Sequence, residues 1–229
     1  MIIPARFNGP TGSGNGGYTA GLVAQLLGDA CVEVTLRLPP PLDTPLTVAR
    51  EAGAVRLYDG AGALVAEAAT VPAGDSAALV AGAVPPVDGT AAAAAARAYA
   101  GFTDHPFPAC YVCGPQRPRG DGLRIFPGRL PDGRTAAPFT APAEVSAPTV
   151  WAALDCPGGW AIIAPDRPYV LGRLAADVRA LPRPGDACVV VGALLSTQGR
   201  KAVVATSLYG PGGALLGAAR ATWISIPAA

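Results

Sequence analysis

The sequence predicts an α+β fold made of two similar halves, each with a central helix packed against an antiparallel sheet. Two observations lead to this prediction. Apolar, glycine-marked segments at residues 15–27 and 149–161 predict helices with almost no polar face, so both should be buried. Each is followed by a run of short β-rich segments separated by turns, which is the order expected of an α+β layer arrangement.

In the first half, the central helix is predicted over 16–28, and Asn15 before it suits the N-cap position. Alternating or β-rich segments then predict strands at 31–38, 46–50, 54–58 and 63–68. Turns fall between them at 39–41 and 59–62, where Pro, Asp and Gly cluster. The alanine-rich stretch 91–100 predicts a further short helix.

The second half repeats this order. Two strands lead into a helix near 148–163, and four more strands follow it; the predicted strands are 123–126, 135–140, 170–181, 187–195, 201–209 and 214–226. Several residues of 57–68 match residues of 208–219 at a constant offset of 151 positions, which indicates an internal duplication. We therefore expect an N-terminal domain at 1–100, a linker at 101–120 and a C-terminal domain at 121–229.

Composition excludes several classes of protein. The 229 residues include 17 Lys and Arg against 16 Asp and Glu, so the charge balance gives no reason to expect nucleic acid or an anionic membrane as partner. No stretch has the roughly 20 apolar residues of a membrane span, and residues 1–6 lack the pattern of a secretory signal. The five cysteines are an odd number without secretory context, which predicts reduced thiols and a cytoplasmic protein.

The chain has one histidine, His105, in a segment that we interpret as linker. Any Ser-His-Asp or Cys-His triad would have to use it, as would any His-based metal site. Cys110 and Cys113 are spaced like half of a zinc site, but no second Cys or His pair exists in the sequence. We therefore expect a buried turn at this pair, no metal site and no cofactor.

Asp155 is the only charged residue between Glu144 and Asp166, on a segment predicted to be buried. A buried carboxylate is costly unless it is paired or used. It could act as a general base on water or as a nucleophile toward a thioester carbonyl. The structural alternative is that Asp155 caps the helix end, because Pro157 disfavours helical geometry at the residue before it.

The first predicted helix adds the candidates Gly16, Gly17 and Gln25, and Asn15 immediately before the helix is a fourth. Gly16 and Gly17 can present amides at a helix N-terminus that stabilise an oxyanion, or they can simply allow a tight turn. Asn15 is a candidate for orienting substrate or water. Gln25 either hydrogen-bonds Asp155 or the attacking water, or is a satisfied polar group between two helices.

Three segments resemble the hotdog-fold thioesterase superfamily, in its double-hotdog form with two domains in one chain. Residues 7–18 (FNGPTGSGNGGY) are similar to the loop and His-Gly-Gly start of the hotdog central helix, with Asn15 in the place of His. The CYVCGP and GDGLRIF segments at 110–115 and 120–126 resemble a Cys-x-x-Cys-Gly leader. The WAALD segment at 151–155 is similar to the helix that carries the family's catalytic carboxylate.

The resemblance implies two central helices side by side, a joined sheet, and hydrolysis of acyl-CoA or a related acyl thioester. It implies one composite site per chain, with amides from the first half and Asp155 from the second, and a second, degenerate site. The candidates for substrate binding are Tyr18, Trp151, Ser146 and Thr149. One chain already corresponds to a dimer of single hotdog domains, so a homodimer is optional.

Two other functions stay open at this point. The first is a non-catalytic acyl- or CoA-binding hotdog protein, which the absence of the family's His favours. The second is a hotdog hydratase or dehydratase, which would require His105 to face Asp155.

Overall fold

The first half of the chain contains one central helix and four strands. A computed structural model describes residues 1–28, 31–164 and 166–227. The elements of the first half are helix α1 (Gly16–Gln25) and strands β1 (Cys31–Leu36), β2 (Thr47–Glu51), β3 (Ala54–Tyr58) and β4 (Leu64–Thr70). The predicted helix and all four predicted strands are present, with ends shifted by a few residues.

A helical connection leads to the second half, which contains six strands and a broken central helix. The connecting helices are α2 (Ala73–Ala81) and α3 (Gly89–Arg97). The next elements are β5 (Gly128–Arg129), β6 (Thr135–Thr140), α4 (Ala147–Ala153) and α5 (Cys156–Gly159). The last four strands are β7 (Tyr169–Val178), β8 (Ala187–Gln198), β9 (Lys201–Tyr209) and β10 (Leu215–Ser225). None of the helices in the described ranges has the length and apolar character needed to cross a membrane.

The strands form one ten-stranded antiparallel sheet in the order β2-β3-β4-β1-β7-β10-β9-β8-β6-β5. The first eight positions are symmetric about the β1–β7 pair. Reading outward from this pair, one half has the order β1-β4-β3-β2 and the other has the order β7-β10-β9-β8. The seam between the halves is the β1–β7 pair, in which Val34 is opposite Leu174. The halves therefore share one sheet and one hydrophobic core.

The two halves also share an irregularity in the same hairpin. In the β3–β4 pair, the register shifts so that Val65 is the extra residue. In the β9–β10 pair, it shifts so that Leu216 is the extra residue. Both bulges insert one residue into the second strand of the hairpin. They are 151 positions apart, the same offset that the sequence repeat shows.

The two central helices lie antiparallel and very close together at two glycines of α1. A Cβ atom on Gly17 would lie 2.5 Å from the Cβ of Asp155, and one on Gly21 would lie 2.6 Å from the Cα of Pro148. Such distances are too short for non-bonded atoms, so only glycine allows α4 to approach this closely. Glycine at both positions therefore brings the start of α1 against Asp155.

The second central helix differs in detail from the sequence prediction of one helix near 148–163. It breaks after α4 and resumes as the single turn α5, with Leu154 and Asp155 between them. Pro157 in that turn has no N–H to continue the α-helical hydrogen bonds. The break places Asp155 at a corner of the backbone.

The connection 72–99 covers the second face of the sheet. The Ser76 hydroxyl donates to an Asp177 carboxylate oxygen at 2.8 Å, and the Val84 N–H donates to the Ser207 hydroxyl at 2.9 Å. The Tyr209 hydroxyl donates to the Val84 carbonyl at 2.5 Å. A small second core of Val84, Val191, Ala205 and Tyr209 forms beneath this layer.

One predicted strand is wrong. Residues 123–126 lie outside the sheet, because Arg124 between them has a left-handed backbone (φ 53°) and the N–H groups of Leu123 and Ile125 bond to the cysteine loop. The Leu123 N–H donates to the Tyr111 carbonyl at 2.8 Å, and the Ile125 N–H donates to the Val112 carbonyl at 2.9 Å.

Candidate active site

Asp155 lies at the break between α4 and α5, with only 2% of its surface exposed. Its Oδ2 accepts hydrogen bonds from the Gly17 N–H at 2.9 Å and from the Asn15 side-chain amide at 3.3 Å. Its Oδ1 has no hydrogen-bond partner among the described residues. The side chain makes no capping bond to α5, so the helix-cap alternative for Asp155 is excluded.

Asn15 holds Asp155 while it caps α1. The Asn15 Oδ1 accepts the Tyr18 N–H at 2.8 Å, as expected of an N-cap side chain. This bond fixes the orientation of the amide and turns its NH₂ group toward Asp155 and Cys110. The Nδ2 lies 3.3 Å from the Asp155 Oδ2 and 3.7 Å from the Cys110 Sγ.

Burial raises the pKa of Asp155 to about 7. The Gly17 N–H and the Asn15 amide lower this pKa by stabilising the carboxylate, whereas charge on the neighbouring Cys110 sulfur raises it. Desolvation is the largest of these effects.

A cavity of about 510 Å³ opens beside Asp155, between the start of α1, the end of β1 and the start of β7. Asn15, Gly16 and Asp155 contribute polar groups to its wall. Most of the remaining wall is apolar and includes Leu36, Leu38, Ile163, Leu171, Trp223 and Ile224. Its volume and mixed lining are typical of sites for small molecules.

The two glycine amides at the start of α1 have different surroundings. The Gly17 N–H is occupied by Asp155, which corrects the prediction that both amides are free to bind an oxyanion. The Gly16 N–H has no acceptor among the described residues, and Gly16 borders the cavity. A Cβ atom on Gly16 would lie 2.8 Å from the Leu171 Cδ2, so the wall is tightly packed at this point.

Gln25 is not part of this site. Because α1 and α4 are antiparallel, the last residue of α1 lies at the opposite end of the helix pair from Asp155. Gln25 is exposed there and borders a second cavity together with Ala147. The prediction that Gln25 hydrogen-bonds Asp155 is therefore wrong.

The four predicted substrate-binding residues do not border the main cavity. Tyr18 stacks on Phe7 with ring centroids 3.8 Å apart. Ser146 and Thr149 form a capping box at the start of α4, where the Ser146 hydroxyl accepts the Thr149 N–H at 3.4 Å. Trp151 borders the second cavity. These side chains stabilise helix ends and interfaces, so their assignment to the main cavity is corrected.

The second cavity, of about 340 Å³, lies where the repeat would place a second site. It is formed by the end of α1, the start of α4 and the end of β7. In this second cavity, Ala24 takes the place that Asp155 has in the main cavity. None of the described residues that border the second cavity is acidic.

Sequence reasoning missed a cluster of three cysteines beside Asp155. The Sγ atoms of Cys110, Cys113 and Cys156 all lie within 4.8 Å of one another, and all three residues border the main cavity. The Cys-x-x-Cys spacing is visible in the sequence, but Cys156 joins the pair only through the fold.

His105 borders the same cavity and lies against this cluster rather than against Asp155. Its Nε2 is 3.4 Å from the Cys113 Sγ, and its Nδ1 accepts the Phe107 N–H at 2.9 Å. The hydratase hypothesis required a His105–Asp155 contact, and no such hydrogen bond is present in the described structure. Burial lowers the pKa of His105.

Comparison with solved structures identifies the fold. A proposed thioesterase from Novosphingobium aromaticivorans matches 98% of this chain and 93% of its own, with a TM-score of 0.59 at 15% identity. A proposed oleoyl thioesterase from Lactobacillus plantarum matches 100% and 95%, with a TM-score of 0.56 at 10% identity. A hotdog-fold protein of unknown function from Alicyclobacillus acidocaldarius matches 99% and 92%, with a TM-score of 0.52 at 9% identity.

The chain therefore has the hotdog fold, and the resemblance stated from the sequence is confirmed at the level of the fold. No family model matches the sequence. No curated protein matches it either. At these identities the likeness establishes architecture, and the chemistry has to be argued from the site itself.

Proposed function

We propose that this chain hydrolyses acyl thioesters, with acyl-CoA as the expected substrate class, at the cavity beside Asp155. The observation that carries the proposal is the environment of this carboxylate. One oxygen is held by two N–H donors, while the other is buried without a hydrogen-bond partner among the described residues, and Asp155 borders the cavity. An unpartnered buried carboxylate oxygen is costly, and such costs are retained where a group is used.

In the proposed reaction, the Asp155 Oδ1 accepts a proton from a water molecule as the water oxygen attacks the thioester carbonyl carbon. The Gly16 N–H at the start of α1 donates to the oxygen that becomes negative. The C–S bond then breaks, and the proton passes from Asp155 to the departing thiolate. Gly17 and Asn15 act as positioning groups, because they hold the other carboxylate oxygen in place.

The lining of the cavity supports a substrate with an apolar acyl part. Leu36, Ile163, Leu171 and Trp223 offer a nonpolar surface within a volume of about 510 Å³. Sites of this kind bind mainly by burying apolar surface, and a few polar groups set the orientation of the ligand. Two of the structures with the same fold are described as proposed thioesterases, which agrees with this function.

The test is thiol release from acyl-CoAs of graded chain length, measured with wild type, Asp155→Asn and Asp177→Asn. Asp155→Asn keeps the shape but removes the base, so turnover should fall by about 10²–10⁴-fold. Asp177 is the matched control, because it is also a buried aspartate but lies on the face bonded to Ser76. Full turnover by a folded Asp155→Asn variant would overturn the proposal.

One observation favours a second candidate, a non-catalytic acyl-binding protein. The Gly17 N–H is occupied by Asp155, so Gly16 carries the one glycine amide at the start of α1 that has no acceptor in the described part of the chain. The same panel separates the two functions. Stable acyl-CoA binding without thiol release would favour the binding protein, and release that depends on Asp155 would exclude it.

A further inference from the structure

Two distant parts of the chain bring three thiols together. Cys110 and Cys113 belong to the turn between the halves, and Cys156 opens α5 beside Asp155. Their sulfur atoms all lie within 4.8 Å of one another, and no more than 5% of any of these residues is exposed. All five cysteines of the chain are free thiols.

The backbone of the turn is held by its own hydrogen bonds and by a close contact at Gly114. The Gly114 N–H donates to the Cys110 carbonyl at 2.9 Å, and the segment 123–126 bonds to the carbonyls of Tyr111 and Val112. A Cβ atom on Gly114 would lie 2.5 Å from the Cys110 nitrogen, so the tight turn requires glycine. The two cysteines of the turn are therefore held in one arrangement.

Two of the three sulfur atoms lie next to an N–H donor. The Asn15 amide donates to the Cys110 Sγ at 3.7 Å. The Phe107 N–H is directed at the His105 Nδ1, which places the proton of the neutral ring on Nε2. His105 therefore donates to the Cys113 Sγ, 3.4 Å away. Neutral thiols accept hydrogen bonds weakly, so these donors suit thiolates.

We propose that Cys110, Cys113 and Cys156 bind one Zn²⁺ through three thiolates, with the fourth position facing the cavity. Thiolate is a ligand that selects zinc over harder divalent ions. A tetrahedral site with Zn–S bonds of about 2.3 Å separates the sulfur atoms by about 3.8 Å. The sulfur atoms lie within 4.8 Å of one another. Closure onto the ion thus needs side-chain movements of less than about 1 Å.

His105 acts in this site as a hydrogen-bond donor to a ligand. Its Nδ1 accepts the Phe107 N–H, so its Nε2 carries the proton and has no lone pair for the metal. Donors to ligating groups orient them and tune the metal. Three protein ligands with one open position are the arrangement found in zinc sites that bind water or substrate.

The first test is the zinc content of reduced, desalted protein from zinc-supplemented cells, measured by mass spectrometry. We expect about one zinc per chain in the wild type, and a loss of at least tenfold in Cys110→Ser and Cys156→Ser. Cys188→Ser is the matched control, because Cys188 is a buried cysteine on β8, outside the cluster, and its replacement should leave the zinc content unchanged.

Cobalt substitution keeps the test decisive if a cysteine variant does not fold. Wild-type protein titrated with Co²⁺ alone should develop thiolate-to-cobalt charge-transfer bands and the strong visible bands of a tetrahedral site. Wild type without zinc and without these bands, or with a Cys110–Cys113 disulfide in its place, overturns the proposal. Both readouts are independent of turnover, so the zinc and thioesterase proposals can fail separately.

Discussion

At the scale of single residues, Asn15 and Asp155 have different roles in the candidate site. Asp155 brings a carboxylate from the second half, and Asn15 brings a donor from the first half that fixes one of its oxygens. Asn15 also caps α1 through its other amide atom, so its contribution to the site and its contribution to stability use different atoms. A substitution can therefore separate the two.

The Asn15→Ser variant tests this separation. Serine caps a helix about as well as asparagine, so unfolding in urea should show only the loss of the buried donor to Asp155, about 1–3 kcal/mol. Turnover should fall at least tenfold, because the donor to the Asp155 Oδ2 is removed. Asn15→Ala removes both contributions and should lose about 1 kcal/mol more stability than Asn15→Ser. Unchanged turnover in Asn15→Ser would show that this donor does not position Asp155.

At the scale of elements, the close contact between α1 and α4 sets the geometry of the site. Gly17 and Gly21 lie one helical turn apart on the side of α1 that contacts the second half. Their missing side chains set the distance between the two central helices. The position of Asp155 relative to Asn15 depends on that distance.

Gly21→Ala should therefore destabilise the protein although alanine is the better helix former. A Cβ atom at this position would lie 2.6 Å from the Pro148 Cα and 2.8 Å from the Trp151 Cβ. Overpacking of this kind costs about 1–3 kcal/mol, against a helix-propensity gain of about 1 kcal/mol. Gly74→Ala in α2 is the matched control, since nothing lies within 4 Å of its new Cβ, and it should be neutral or stabilising. Urea unfolding measures both, and equal stability of the two variants would contradict the argument.

The sequence predicted some helices and strands well and missed others. The apolar helix α1 and the alternating strands were identified because their periodicity reports burial directly. Helix α2 was missed because Ala73–Ala81 has Gly and Asp among small residues and a single buried side chain, Leu79. The break before α5 was predicted only through the alternative of a helix end at Asp155, which rested on Pro157, and not in the helix drawn near 148–163.

The candidate site was predicted only where chemistry was visible along the chain. Asp155 stood out as an isolated charge, and it meets Asn15 and Gly17 in the structure. Gln25 was misplaced because an alignment of the two helices does not say which of their ends meet. Cys156 was missed because nothing in sequence spacing connects it with Cys110.

At the scale of the whole molecule, the seam between β1 and β7 joins the halves into one sheet. The hydrophobic core runs through both halves, from Val23 in α1 to Leu208 in β9. The division into domains at 1–100 and 121–229 stays a prediction. Because the sheet and the core are continuous, unfolding of either half would expose core residues of the other half to water.

Unfolding should therefore be a single cooperative transition. All three tryptophans, Trp151, Trp160 and Trp223, belong to the second half, so their fluorescence reports on that half and on its contact with α1, where Trp151 packs near Gly21. Far-UV circular dichroism reports on the sheet of both halves. The two urea curves should coincide, and a dichroism change that precedes or follows the fluorescence change would indicate separate domains.

The two unequal cavities have a consequence for kinetics. A pair of identical hotdog subunits carries two equivalent sites whose occupancies can influence each other. Here the carboxylate borders one cavity, and Ala24 occupies its counterpart in the other. Under the proposed function, one chain therefore binds one substrate molecule. Its saturation curve should be a simple hyperbola with a Hill coefficient of one, so cooperativity could arise only between chains.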